Sequence, residues 1–417
     1  MIGLPPFNPA MTDYHACIDT IESVVKQFTS RELDLMNLQH GQAGIPALKW
    51  SQFLNTPHGK ALKDMAPLSV TEADYRNPRD QTPPVAFDSS KTHVGMQYAL
   101  RGIRVLELCR VIAGPTIGRS LAAHGATVLK VTSPNLPDVP FFQVDVNTGK
   151  HTTSLDLRDP TDRQIFDKLL QDADVLIDGY RPGALDRLGY GQTTLLDIAH
   201  RRRRGFVYVA EDCFGGSTGT GTTRIPGAEW AERPGWQQIA DCVTGVAWAQ
   251  GKFMGLNEPV VPPFPMSDYG TGALGAVAAM IGIYNRATQG GSWICRTSLC
   301  QYDVFLMGLG PLPDGEQRRL RKVHDAGFFE LRHSDSVDEV GKRALQSLRR
   351  VVPHLFEHDL MHNSWSTGFD GTVAWPKEAI QIEGLKVGHQ RASRPNGFDA
   401  PSWEDWEVDE RLVRDAE

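Results

Sequence analysis

LRGIRVLELCRVIAGPTIGRSLAAHGATVLKV, the stretch at residues 100–131, contains two apolar runs separated by a helical pattern. The first run, at 104–111, is short and includes β-branched residues, which predicts a buried strand. An Ala-Gly-Pro turn at 113–115 ends this strand, and a helix is predicted to follow and to end near Gly125. The second run, at 127–131, predicts another strand, so the stretch indicates a strand–helix–strand unit.

The same alternation continues through the middle of the chain. Further elements are predicted as a helix at 159–173, strands at 174–180 and 205–211, a helix at 269–287 and a strand at 290–299. Strands that alternate with helices at such intervals indicate an open, mostly parallel sheet with flanking helices. The long helix at 269–287 is rich in small residues, which close packing between helices requires.

Composition narrows the class of protein. The chain has 417 residues, a formal charge of −7, 41% hydrophobic and 22% charged residues. This mild acidity argues against nucleic acid or a membrane surface as a partner, because both would favour a broad basic face. No apolar run is long enough to span a membrane and no secretory leader is recognisable, so we expect a cytoplasmic protein, with an organelle matrix as the alternative.

No metal site is expected. The six cysteines are scattered without a CxxC pair, which indicates reduced thiols. Three histidines recur every four residues, at 354, 358 and 362, and a metal could bridge two of them if Pro353 opened a helix. They lack a carboxylate partner in an HExxH arrangement, so we interpret this stretch as a surface helix.

Several blocks of the chain together match a known family. They are LRGIRVLELCRVIAGPTIGRSLAAHGATVLKV at 100–131, GKHTTSLDLRD at 149–159, ADVLIDGYRPGALDRLGYG at 173–191, GWQQIADCVTGVAWAQG at 235–251 and PPFPMSDYGTGALGAVAAMIGIYNRATQGGSWICRTSL at 262–299. In this order they resemble the class III (CaiB/BaiF-type) CoA-transferases, a family that includes formyl-CoA transferase and α-methylacyl-CoA racemase. The resemblance implies a Rossmann-like core and an enzyme that handles acyl-CoA thioesters.

The resemblance implies that Asp268 is the catalytic nucleophile. A carboxylate at this position would attack an acyl-CoA carbonyl to form a mixed anhydride, and CoA would then return to give an aspartyl-CoA thioester. The carboxylate must be ionised, and we expect N–H groups at the start of the long helix to stabilise its charge. The alternative is that Asp268 only caps this helix, together with Ser267.

The resemblance also implies which residues contact CoA, which is treated as a substrate; no permanently bound cofactor is expected. The implied contacts are Ile112, Ala113, Leu155, Asp156, Leu157, Arg158, Gly179, Tyr180, Arg181 and Arg187. The three arginines suit the phosphates of CoA, although each alone could be a solvated surface residue. Gly114 would allow close approach of the backbone to the ligand.

The chain departs from the family in three places. Ile112 stands where formyl-CoA transferases carry glutamine, which favours a larger or apolar acyl group. Trp236 stands where the racemases carry histidine, so we predict that Trp236 and Gln237 line the substrate pocket and that racemisation by that pair is doubtful. The glycine-rich lid of formyl-CoA transferases has no counterpart, and the Gly-rich run at 214–223 is predicted to be a flexible surface loop.

Three parts are predicted along the chain. Residues 1–98 resemble the closing region of a family member and end in a linker at 77–92, residues 99–310 form the Rossmann-like core, and residues 311–417 form a tail that packs on the core or on a partner, with its tryptophans as anchors. This order suggests the latter part of a duplicated protein whose first core is missing. The family generally forms interlocked dimers, so the resemblance implies a homodimer.

The leading hypothesis is CoA transfer between carboxylic acids. A racemase, epimerase or isomerase is the second, with Asp268 as general base, His124, His151 or Asp241 as its partner, and a substrate that need not contain CoA. A non-catalytic scaffold or a subunit of a pair is the third.

Overall fold

A computed structural model describes residues 1–75, 81–87, 97–221 and 223–404. The predicted linker at 77–92 lies largely outside the described residues, and so does Trp406. The α-helices are α1 Tyr14–Val25, α2 Ser30–His40, α3 Trp50–Asn55, α4 Pro57–Leu62, α5 Ala113–Ala123, α6 Pro140–Val146, α7 Pro160–Asp172, α8 Ala184–Arg187, α9 Gln192–Arg202, α10 Gln237–Thr244, α11 Val246–Phe253, α12 Met266–Gln289, α13 Leu299–Leu309, α14 Asp314–Val323 and α15 Val337–Val351.

Short 3-10 helices occupy Ala326–Glu330, Pro353–Phe356 and His358–Leu360. The strands are β1 Leu68–Glu72, β2 Gln97–Tyr98, β3 Arg104–Leu108, β4 Thr127–Thr132, β5 His151–Ser154, β6 Val175–Asp178, β7 Val207–Asp212, β8 Ser217–Thr218, β9 Thr223–Arg224, β10 Trp293–Ser298, β11 Met361–Ser366, β12 Gly371–Pro376 and β13 Leu385–Lys386.

A seven-stranded sheet forms the centre of the molecule. Its strand order is β1-β10-β7-β6-β3-β4-β5, and every neighbouring pair except β1 with β10 is parallel. The predicted open, mostly parallel, Rossmann-like sheet is therefore confirmed. The strand order reverses between β3 and β6, and ligands of such sheets bind outside the carboxyl ends of the strands at this point.

Both faces of the sheet are buried, which explains the nearly continuous apolar runs of its strands. Val105 packs with α5 and α12 on one face, while its neighbour Leu106 packs with α7 and α9 on the other. Each buried aliphatic side chain contributes about 1.5–3 kcal/mol relative to an exposed one. Two helical layers around one sheet therefore supply most of the core.

Two glycines allow α12 to approach α5 closely. A Cβ atom on Gly272 would lie 2.4 Å from Cβ of Thr116 and 2.7 Å from the carbonyl oxygen of Ala113, and one on Gly275 would lie 2.6 Å from Cδ1 of Ile117. The expected close packing of the small-residue helix is confirmed. It brings the second turn of α12, which contains Gly272, against the first turn of α5.

The flanking segments join the core at several points. In the N-terminal segment, β1 adds an antiparallel edge strand to β10, and Phe53 of α3 packs against α10. In the C-terminal segment, Asp399 accepts the backbone N–H of Thr152 at 2.7 Å. The division of the chain at 98 and 310 stays a prediction.

Three local predictions are wrong. His354 and His358 lie in separate 3-10 turns and His362 begins a strand pair, because the chain extends at Glu357 instead of continuing a helix. The anchoring prediction is wrong for Trp365, which is 54% exposed, whereas Trp375 is buried and Trp403 packs against the core and donates to the carbonyl of Leu169 at 3.0 Å. The Gly-rich run is no surface loop, since Phe214, Ser217 and Thr220 are buried beside the β8–β9 hairpin.

Candidate functional site

Asp268 is the third residue of α12 and is only 8% exposed. Its backbone N–H donates to Oε1 of Gln237 at 3.1 Å, but within the described chain its carboxyl group has no hydrogen-bond partner. The expectation that N–H groups at the helix start stabilise its charge is therefore not met. Burial raises the pKa of Asp268 to about 7, and the nearby Asp241 carboxyl adds to the increase.

The capping alternative is wrong as well. Pro265 holds the N-cap position and no side chain caps the helix. The hydroxyl of Ser267 is 3.1 Å from Oδ1 of Asp241 and 2.6 Å from Oδ1 of Asp303. The burial of Asp268 therefore has another cause than helix capping.

A buried acidic network lies behind Asp268. Ser267 has one hydroxyl hydrogen and cannot donate to both Asp241 and Asp303, so this arrangement favours a proton on one of the two carboxyl groups. Thr244 donates to the other oxygen of Asp303 at 3.0 Å. Burial raises the pKa of Asp241 to about 7, although hydrogen bonds from Gln237 and Ser267 oppose the increase. The network therefore favours a protonated carboxyl group near the candidate nucleophile.

Gln237 connects this network to α12. Its side-chain nitrogen donates to Oδ2 of Asp241 at 3.0 Å and to the carbonyl of Phe264 at 3.1 Å, while its oxygen accepts from Asp268. The side chain is thus occupied by protein groups in this arrangement. Trp236, predicted to line the pocket with it, is 54% exposed at the surface. The structure therefore brings Gln237 to Asp268 and leaves Trp236 outside the buried part of the site.

The turn after β3 is strained. Val111 has a φ of 65°, a conformation that β-branched residues rarely adopt. Ile112 and Ala113 follow it and are buried at the start of α5. A Cβ atom on Gly114 would lie 2.7 Å from Sγ of Cys109, so this glycine is required by the protein's own packing. Strain of this kind is common at ligand sites.

A buried ion pair contacts the first turn of α5, which follows this turn. Nζ of Lys150 lies 2.6 Å from Oε2 of Glu107 and donates to the carbonyl of Pro115 at 2.6 Å. Burial lowers the pKa of Lys150 to about 8, against the opposing effect of Glu107. The lysine in the GKHTTSLDLRD block therefore fixes the position of α5.

The predicted CoA contacts follow the carboxyl ends of β5 and β6. Leu155 and Leu157 are core residues, so only their backbone could face a ligand. Asp156 pairs with Arg158 at 3.1 Å, and the side chain of Arg158 is 66% exposed. Of the four implied contacts at 155–158, only the polar side chains Asp156 and Arg158 reach the surface.

After β6, Gly179 and Tyr180 are half-buried, and the N–H of Tyr180 donates to Oδ1 of Asp178 at 2.9 Å. Arg181 and Arg187 are exposed, and Nη2 of Arg181 donates to the carbonyl of Gly41 at 3.3 Å. The three predicted arginines are thus all exposed near the carboxyl edge of the sheet, and Arg158 is paired there with Asp156.

Two charged residues near the carboxyl edge of the central sheet were not predicted from the sequence. Arg110 follows β3, and its Nε is buried without a partner among the described residues. Glu211 is the penultimate residue of β7 and is 8% exposed. The available signal was a charged residue close to the carboxyl end of a buried apolar strand.

A cavity of about 640 Å³ lies elsewhere, between β1, the start of α9 and the β8–β9 hairpin. None of the predicted site residues lines it. Its walls are mainly Thr, Gly and acidic residues, including Glu72, Asp186 and Thr220. We therefore base the candidate site on Asp268 and not on this cavity.

Within residues 1–75, 81–87, 97–221 and 223–404, no three His, Cys, Asp or Glu residues cluster so that they could hold a metal. The helices described there are all too short or too polar to cross a bilayer.

Comparison with known proteins gives consistent matches. The sequence model of CoA-transferase family III matches residues 100–322. An acetyl-coenzyme A transferase of Hypoxylon pulicicidum is 31% identical over 96% of this chain and 66% of its own length. An acyl-CoA transferase of Gibberella moniliformis is 34% identical over 69% of this chain and 48% of its own length. The chain thus spans between about half and two thirds of these two relatives.

Among solved structures, the crystal structure of the hypothetical protein Rv3272 from Mycobacterium tuberculosis matches with a TM-score of 0.51 and 18% identity. The match covers 73% of this chain and 98% of that one, and it shows a shared fold.

Proposed function

Because this chain belongs to CoA-transferase family III, we propose that it transfers CoA between carboxylic acids through Asp268. One observation carries the proposal: the Asp268 carboxyl group is buried in the first turn of α12 and has no hydrogen-bond partner within the described chain, while its backbone N–H donates to Gln237. A carboxyl group that is buried and left unbonded destabilises the fold, and such groups concentrate at active sites.

The proposed reaction proceeds by acyl exchange on one carboxylate. The ionised Asp268 attacks the thioester carbonyl, an O–C bond forms, the C–S bond breaks and CoA thiolate leaves. The thiolate then attacks the aspartyl carbonyl of the anhydride, which releases the first acid and leaves CoA on Asp268. An acceptor carboxylate then attacks the aspartyl-CoA thioester, which forms a new anhydride and releases CoA thiolate. The thiolate attacks the acceptor's carbonyl, which gives the new acyl-CoA and regenerates Asp268.

We propose that the exposed Arg158, Arg181 and Arg187 bind the phosphates of CoA. They lie after β5 and β6, where parallel sheets bind ligands, and they suit phosphate geometry. Ile112 is buried and apolar at the start of α5, which supports an acyl group that is larger or less polar than formate. Among the relatives, a β subunit from Chloroflexus aurantiacus is named for succinyl-CoA and L-malate.

A homodimer is part of the proposal. Val277, Ile281 and Tyr284 are 43%, 39% and 60% exposed on one side of α12. Their spacing places them in one apolar stripe on the helix surface. An exposed stripe on the helix that carries Asp268 favours a second copy as the partner.

Isomerisation is the second candidate function. It requires an acid or base beside Asp268, and Asp241 is close enough to raise the pKa of Asp268. His124 ends α5 and His151 lies near Arg391, so the structure favours Asp241 over either histidine. Exchange of the α-hydrogen of an acyl-CoA in D₂O without acyl transfer would support this function.

Mass spectrometry of the protein after incubation with acetyl-, butyryl- and octanoyl-CoA tests the main proposal. We expect an acyl or CoA adduct on the Asp268 peptide that is absent from Asp268→Ala. Asp338→Asn is the matched control, because Asp338 also lies in the first turn of a helix but is exposed. A folded protein that forms no adduct and binds no CoA would contradict the proposal and favour a scaffold.

A further inference from the structure

A second buried carboxyl group belongs to this region. Glu211 is the penultimate residue of β7 and is 8% exposed, as Asp268 is. Its side chain accepts no hydrogen bond from any described residue and forms no ion pair with one. Neighbouring carboxyl groups differ, because Asp212 pairs with Arg296 at 2.8 Å and Asp178 accepts from Tyr208 at 2.6 Å. Glu211 is thus left without a hydrogen-bond or ion-pair partner among the described residues.

The packing of α5 and α12 places Glu211 near Asp268. Oε2 of Glu211 lies 3.5 Å from the position that a Cβ atom on Gly114 would occupy, in the first turn of α5. Gly272 of α12 packs against Ala113 in this same turn, and Asp268 lies one helical turn before Gly272 on the same side of α12. Both carboxyl groups therefore border the start of α5.

The electrostatic environment favours the neutral form of Glu211. Burial raises the pKa of Glu211 well above its usual range, and the carboxyl groups of Asp212, Asp268 and Asp178 add to the increase. Two neighbouring carboxyl groups that ionise at different pH can act as an acid and a nucleophile in one site.

We propose that Glu211 is a catalytic residue that, as a neutral acid, donates a hydrogen bond to the acyl carbonyl oxygen attacked by Asp268. The inference rests on the proposed function. As the Asp268 oxygen bonds to the carbonyl carbon, the π electrons move onto the acyl oxygen, and the Glu211 O–H stabilises this oxyanion. When the C–S bond breaks, the electrons return, CoA thiolate leaves, and Glu211 keeps its proton.

Two substitutions separate this role from a structural one. Glu211→Gln is neutral and still offers a donor, whereas Glu211→Leu offers none. Loss of one oxyanion donor lowers a rate by about 100- to 1,000-fold. We expect Glu211→Leu to slow formation of the Asp268 adduct by this factor and Glu211→Gln to slow it by less than about 10-fold. The readout is quenched-flow mass spectrometry at saturating acyl-CoA.

A pH profile gives an independent readout. The wild-type rate should fall at alkaline pH as Glu211 ionises, and the Glu211→Gln rate should not. A Glu211→Leu rate equal to wild type, or a Glu211→Gln rate as low as that of folded Glu211→Leu, would overturn the inference. Wild-type protein that forms no adduct would instead overturn the proposed function, so the two failures are distinguishable. Thermal unfolding checks that both variants fold.

Discussion

The backbone N–H of Asp268 donates to Oε1 of Gln237, and the side-chain nitrogen of Gln237 donates to Asp241. One amide therefore fixes the start of α12 relative to α10. Because Gln237 is 2% exposed, water cannot replace its hydrogen bonds without rearrangement. The position of the candidate nucleophile depends on this side chain.

Gln237→Ala should therefore displace Asp268. Leaving buried groups unsatisfied costs about 1–3 kcal/mol of unfolding free energy. A small displacement of the nucleophile should also slow adduct formation by roughly 10- to 100-fold. Urea unfolding and adduct kinetics measure both effects. Gln238→Ala is the control, because the neighbouring side chain forms none of these bonds; equal losses in both variants would contradict this role of Gln237.

Asp268→Asn should stabilise the protein in a pH-dependent way. The carboxyl pKa is about 7 in the folded state against an ordinary value of 3.8, so the folded state binds the proton more tightly. Between about pH 4 and pH 7 the folded form retains a proton that the unfolded form has lost, and wild-type stability falls as pH rises.

The stability of the asparagine variant should not fall in this way as pH rises, because asparagine has no proton to lose. Its advantage should be near zero at pH 4 and reach on the order of 1–4 kcal/mol at pH 8. Denaturant unfolding at both pH values is the measurement. An advantage that is the same at pH 4 and pH 8 would show that the carboxyl group does not titrate in this range.

The sheet could be predicted because the sequence patterns that indicate its strands and helices are local. Apolar runs such as 104–108 and 127–132 indicate strands that are buried on both faces. The intervening helix is indicated by apolar residues at helical spacing. The edge strand β1 was missed because the five residues Leu68–Glu72 form a strand only by pairing with β10, which is distant in sequence.

The site was predicted less completely. The position of Asp268 came from matching blocks of sequence, but its burial and its lack of hydrogen bonds come from the packing of α12 on α5. Glu211 and Asp212 are adjacent in sequence. Only the tertiary structure shows that Arg296 forms an ion pair with Asp212, whereas Glu211 has no ion-pair partner among the described residues. The exposure of Trp236 likewise depends on which helices cover it.

Gly118→Ala should destabilise the protein. The added Cβ atom would lie 1.8 Å from Oε2 of Glu107 and 3.3 Å from Nζ of Lys150, so it would push apart a buried ion pair. Overpacking of this kind costs about 1–3 kcal/mol, and disturbing the buried pair adds to it. Gly315→Ala is the matched helical control, since its Cβ atom would meet open space and should stabilise α14 by about 0.5–1 kcal/mol. Chemical unfolding compares the two; a Gly118→Ala protein as stable as wild type would contradict the ion-pair geometry.

Arg158→Gln, Arg181→Gln and Arg187→Gln should each weaken CoA binding. A charge-assisted hydrogen bond contributes about 1.5–3 kcal/mol, which corresponds to roughly 10-fold or more in Kd. The losses should shrink as salt increases, because exposed charges are screened. Calorimetric titration with CoA at two salt concentrations measures this. Arg319→Gln on the exposed face of α14 is the control, and an arginine whose replacement matches that control is no phosphate ligand.

Tyr284→Lys should convert a homodimer to monomers. The tyrosine is 60% exposed on the Val277, Ile281 and Tyr284 stripe of α12, and a buried, unpaired lysine charge in a dimer interface would be strongly unfavourable. Phe141→Lys is the matched control, because Phe141 is 80% exposed and lies outside this stripe. Light scattering after size exclusion should show a dimer for wild type and Phe141→Lys, and a monomer for Tyr284→Lys. A monomeric wild type would contradict the dimer, whereas an unchanged Tyr284→Lys dimer would place the interface on another face.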